Sequence, residues 1–172
     1  SNYEVGIYSS ANQLVQVMPQ LIGALGTVAA PKFASFTSEY AMTTYFRKLQ
    51  FFVFGIALLG LLVLPFAVYL IPQLLGAQYS ASIPSFIILF IAMLIFLISI
   101  PVHNSIIFYF GKPQVFVWVS IVNLLITSFL GYFLISNFGF IGASISVLIG
   151  TIFNFLLPLV WFFLRLQNKS NK

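Results

Sequence analysis

Asn12, Gln13, Gln16 and Gln20 place four amide side chains within nine residues of an otherwise apolar stretch. On a helix Asn12, Gln16 and Gln20 share one face, Gln13 lies beside them, and Ser9 and Thr27 roughly extend the stripe. A buried amide is costly unless it is hydrogen-bonded. A stripe of amides on one apolar helix therefore points to water, a polar substrate or a polar partner helix. Helix–helix hydrogen bonding is the competing reading; four amides so close together exceed what packing needs and favour the lining of a cavity.

His103, beside Asn104 and two residues after Pro101, is the other polar centre. It is read either as a proton or sugar contact, or as a neutral ring bonded to a carbonyl freed by the proline. The second reading is preferred because the apolar stretches contain no acidic partner. Asn123, with Thr127 one turn on, completes the set of candidate cavity residues. The chain's two carboxylates, Glu4 and Glu39, lie outside the apolar stretches and on opposite sides of them, so they form no acid–base pair. A single histidine and no cysteine offer no metal site or disulfide, and no glycine-rich phosphate loop is present. The residues imply binding without catalysis: no enzyme, no cofactor, no metal.

The elements that position these residues follow from composition. Of 172 residues, 61% are hydrophobic and 5% charged, against roughly 25% charged in soluble domains. So few charges cannot cover a water-facing surface. A helix needs about 20 apolar residues to cross a bilayer, and helices satisfy their own backbone in lipid. Long runs such as Phe51–Leu64 do not alternate as barrel strands would. The sequence predicts an all-α integral membrane bundle of five transmembrane helices, at Val5–Ala30, Leu49–Ile71, Pro84–Phe110, Gln114–Ser136 and Phe140–Leu164, in one transmembrane domain. Pro31, the Pro72–Ser80 segment, Gly111-Lys112-Pro113 and Asn137-Phe138-Gly139 separate them. The last two turns are short enough to make the third, fourth and fifth spans antiparallel neighbours. The chain opens at Ser1 with no signal peptide, which reads as a piece of a longer or processed protein.

All seven basic residues fall on one side of this arrangement: Lys32, Arg47 and Lys48 in the 32–48 loop, Lys112 in its turn, and Arg165, Lys169 and Lys172 in the 165–172 tail. The other side has none. The positive-inside rule then expects a cytoplasmic C-terminus and an extracytoplasmic N-terminus. The net charge of +5 is explained by topology, with no nucleic-acid partner. Residues 32–48 are read as either a short interfacial helix or a plain connector with aromatic anchors.

Small residues and prolines complete the pattern. Gly142, Ser146 and Gly150 recur every four residues, with Asn154 continuing the row, and read as a face for close helix packing. Pro19, Pro65, Pro101 and Pro158 each sit inside a span and can bend it, as transporters with broken helices require.

Several short motifs carry a resemblance. Val5-Gly6-Ile7-Tyr8-Ser9-Ser10-Ala11 with Val28-Ala29-Ala30-Pro31, then Leu74-Leu75-Gly76-Ala77-Gln78-Tyr79-Ser80-Ala81-Ser82, Gly111-Lys112-Pro113 and Phe138-Gly139-Phe140-Ile141-Gly142-Ala143-Ser144 occur in this order. The chain thereby resembles the last five helices of Wzx-type polysaccharide flippases, in the superfamily that also holds MATE exporters. The resemblance implies two helix bundles around a cavity that opens alternately to either side, in the cell membrane. It implies a lipid-linked oligosaccharide of the undecaprenyl-pyrophosphate type as cargo, and membrane lipid and the preceding helices of the same protein as partners. The family's basic cavity residues have no counterpart in these spans. A MATE-type exporter is the nearest rival, usually marked by intramembrane carboxylates, which are lacking here. A membrane enzyme of glycan assembly would show clustered His, Asp or Arg on large loops, and a fragment that only packs against a partner is the third alternative.

Overall fold

The computed structural model describes residues 2–170, so Lys172 of the expected tail lies outside the described residues. Those residues are helical almost throughout, with no strand among them. The helices are α1 (Asn2–Val15), α2 (Val17–Ala34), α3 (Glu39–Leu75), α4 (Ile83–Asn104) and α5 (Gln114–Ser170). A short 3₁₀ helix, Ala77–Ser82, precedes α4, and a π-helical turn, Ser105–Tyr109, follows it.

Four helical stretches are long and apolar enough to cross a membrane: Asn2–Ala34, Glu39–Gln73, Ala77–Tyr109 and Gln114–Gln167. Five spans are expected from the sequence, and the difference lies in the last stretch. Straight, its 54 residues would run about 80 Å, against roughly 30 Å of hydrocarbon. It is not straight. Gly139 has φ 56° and ψ −134°, outside the helical region. Beyond it the chain folds back, so that a Cβ on Gly131 would sit 3.8 Å from Ser146 Oγ and one on Gly150 would sit 2.5 Å from Thr127 Cγ2. In a continuous helix Thr127 and Gly150 would be about 34 Å apart. The arms 114–138 and 140–170 therefore form an antiparallel hairpin, closed where Gly142 meets the Leu134 backbone carbonyl.

Pro31 does not end the first stretch, and residues 32–48 do not form a separate loop. The helix continues through Pro31 to Ala34, and α3 begins at Glu39, leaving Ser35–Ser38 as the connector. Proline inside a helix removes a hydrogen bond and can kink it, yet this helix runs on through Pro31 for three more residues. Here Ser35 caps the end through bonds to the Pro31 and Lys32 carbonyls. Pro72 is likewise inside α3, which stops only at Gly76.

α4 is the hub, packing against α1, α2, α3 and α5. Its sequence is apolar all round, as a centrally placed helix requires. One core joins Ala11, Val15, Met18 and Ile22 to Val53 and Ala57 of α3 and to Phe86, Leu89, Leu97 and Ile100 of α4. A second, aromatic core joins Phe33, Met42, Phe46, Val102, Ile106 and Phe162, with Phe46 stacked on Phe162 at 4.6 Å. Lys32, Arg47, Lys48, Lys112 and Arg165 border this second core and are exposed, so the described cations gather at one end of the bundle.

Candidate functional site

The first stretch is bent at Gln16, where the regular bonding lapses and the Gln16 N–H donates to the Gln13 carbonyl at 3.2 Å. Pro19 lies in the first turn of α2, and its missing N–H leaves the Val15 carbonyl without the usual i+4 donor. Bends of this kind sit just before a proline.

Either side of that bend, Ile7, Ala11, Val15, Met18 and Ile22 face the core. Ser9, Asn12, Gln13, Gln16, Gln20, Gly23 and Thr27 occupy the opposite face and are exposed. Among the described residues none of the four amides has a hydrogen-bond partner. The other outward faces are different in kind. Phe51, Leu58, Leu59, Leu62 and Phe66 cover α3, and Val117, Trp118, Leu124, Leu125, Phe129 and Phe133 cover the first arm of α5. Those apolar surfaces suit lipid, where an unpaired amide costs several kcal/mol. Among the described residues the amide stripe is the one outward face of this kind, and lipid is a poor solvent for it.

At the end away from the cations, a cleft of about 740 Å³ lies between α1 and the hairpin turn. It is lined by Glu4, Val5 and Tyr8 and by residues 135–140 with Ala143. A smaller cleft of about 270 Å³ lies on the other flank of α1, against Gln78, Tyr79 and Ser82. Gly139 serves this end twice. Its positive φ suits glycine, and a Cβ there would come within 2.8 Å of Glu4 Oε1. Ser136 and Asn137 each donate to the Phe133 carbonyl, at 2.9 and 2.7 Å, which finishes the first arm.

The remaining sequence-predicted residues serve as joints and do not meet the stripe. His103 Nε2 lies 3.1 Å from the carbonyl oxygen of Asn154, with the ring edge-on to Phe116 at 4.8 Å. In α5 that carbonyl would bond the N–H of residue 158, but Pro158 has none. The proline that frees the carbonyl is thus Pro158 in the facing helix, and not the neighbouring Pro101. Asn104 is buried and donates to Ile100 within its own helix at 2.9 Å. Asn123 Oδ1 is buried without a hydrogen-bond partner and points at Gly150. Gly142, Ser146 and Gly150 are buried along the hairpin seam.

Gln50 is a polar joint that the sequence pattern does not single out. Its Nε2 donates to the Ile98 carbonyl at 3.1 Å, tying α3 to α4 just before Pro101. A lone amide one residue inside an apolar span was the available signal. The clefts around Glu4 and Tyr79 have no signature in the sequence, because they arise from the contact of distant segments.

Comparison of the chain with protein-family models, with curated proteins and with solved structures returns no match.

Proposed function

We propose that this chain is the C-terminal part of a membrane transporter that moves lipid-linked oligosaccharides of the polyprenyl-pyrophosphate type across the cell membrane by alternating access. In this reading each arm of the α5 hairpin crosses the bilayer, each being longer than the roughly 20 residues a crossing needs. The described cations then lie on the cytoplasmic face, with the N-terminus outside.

The observation that carries the proposal is the outward-facing amide stripe on a bent helix, set among faces of leucine and phenylalanine. A sugar headgroup cannot enter hydrocarbon without replacing its water. Amides offer both donors and acceptors, so Asn12, Gln13, Gln16 and Gln20 can exchange for hydration water while the lipid tail stays in the bilayer. The other wall of the cavity is supplied by the preceding helices of the same protein. The ordered motifs that resemble polysaccharide flippases support the choice of cargo.

The test is to replace Asn12, Gln16 and Gln20 together with leucine in the full-length protein. The proposal expects sugar export to be lost while membrane insertion and protein level persist. Unchanged export would refute it.

A further inference from the structure

The flank of α3 at the cationic end holds a groove of about 390 Å³ lined by Phe46, Arg47, Gln50, Phe51 and Phe54. Three phenyl rings form its walls, and Arg47 is its one charged group. The order along the helix matters. Arg47 stands at the charged end, and Phe51 and Phe54 follow over about 10 Å into the stretch that carries no charge. Gln50 commits one of its two amide N–H groups to the Ile98 carbonyl. The surroundings are lipid-facing: Phe52, Leu58 and Leu59 continue the same exposed surface. Lys48 lies beside Arg47, and Lys32 and Lys112 are at the same end. Glu39, two turns earlier on α3, is the one acidic residue among the described residues there.

A guanidinium at the headgroup level above an aromatic slot matches a molecule with a negative head and an extended hydrocarbon tail. We propose that this groove binds an anionic membrane phospholipid, its headgroup on Arg47 and one acyl chain along Phe51 and Phe54. The inference requires only that α3 is embedded in lipid and holds whatever the transporter carries.

The probe is phosphatidylglycerol or phosphatidylcholine with brominated acyl chains, which quench tryptophan fluorescence on contact. The reporter is Phe54→Trp in a full chain carrying Trp118→Phe and Trp161→Phe, reconstituted in vesicles of defined composition. Phosphatidylglycerol is expected to occupy the site about five-fold more favourably than phosphatidylcholine, the effect of one arginine near an anionic headgroup. Arg47→Gln should bring the ratio to about one. Equal quenching by the two lipids overturns the proposal. So does a preference that survives Arg47→Gln, which would reflect the cationic end in general. Relief of quenching by substoichiometric polyprenyl phosphate would make the carrier tail the occupant and equally overturn it. Native mass spectrometry of the chain with its own tryptophans, released from mixed-lipid nanodiscs, reads the same point without the reporter. Retained phosphatidylglycerol that falls with Arg47→Gln supports the site, and unselective retention contradicts it.

Discussion

His103 of α4 donates from Nε2 to the main-chain carbonyl of Asn154, 3.1 Å away in the second arm of α5, and so supplies the hydrogen bond that Pro158 withholds. A side chain on one helix thereby repairs a defect in the backbone of another. The bond joins the hub helix to the hairpin at a half-buried position.

Removing the ring by His103→Ala leaves the Asn154 carbonyl unpaired, at a cost of about 1–3 kcal/mol. Pro158→Ala restores the N–H at residue 158. In the double variant the carbonyl is paired again within α5, so the loss from His103→Ala should be largely recovered. Unfolding in mixed detergent micelles of the wild type, both single variants and the double variant measures this as a double-mutant cycle. A coupling near zero would show that the two positions act independently.

The hairpin seam makes a second, graded prediction. At Gly142 an added methyl would meet the Leu134 backbone, which cannot rotate away, whereas at Gly131 it would meet Ser146 Oγ at an ordinary 3.8 Å. Gly142→Ala should therefore destabilise by about 1–3 kcal/mol, as overpacking does. Gly131→Ala should be near neutral or slightly stabilising, since alanine is the better helix former. Thermal unfolding in detergent distinguishes them, and equal effects would contradict the close approach of the two arms.

Much of this architecture could be read from the residues, for definable reasons. The third span was expected at Pro84–Phe110, and the continuous helical path runs from Ile83 to Tyr109; there the charge-free stretch and the helix coincide. The start at Gln114 follows from the Gly111-Lys112-Pro113 turn. Hydrophobicity marks where a helix meets lipid and not where it begins, so the sequence places the second span at Leu49 and leaves 32–48 as a connector or a short separate helix, whereas α3 already starts at Glu39. Pro31 and Pro72 read as terminators in the sequence but lie inside α2 and α3, since one lost hydrogen bond does not stop a helix that is otherwise supported. The stripe of Asn12, Gln16 and Gln20 was visible in the spacing, and its outward direction needed the opposing core of Ala11, Val15 and Met18. The partner of His103 was not legible, because Pro158 is distant in sequence and acts through a backbone atom.

The side assignment yields a third prediction. In right-side-out membrane vesicles, a cysteine at Asn137 should react with an impermeant thiol reagent, and one at Lys112 should react only after the vesicles are opened. Reaction of both from the same side would refute the reading of the α5 hairpin arms as separate crossings.

The central claim is that the face bearing Asn12, Gln16 and Gln20 meets water within the membrane, and cysteine labelling in a background cleared of native cysteines measures it directly. Single cysteines at these three positions, and at the outward Leu59 and Leu62 of α3 as lipid-facing controls, are introduced into the full-length protein in native membranes. They are then labelled with a small water-soluble thiol reagent. The account predicts rapid labelling at positions 12, 16 and 20 and little at 59 and 62. If the three stripe positions are as unreactive as the two leucine positions, the stripe is sealed from water and the account is wrong.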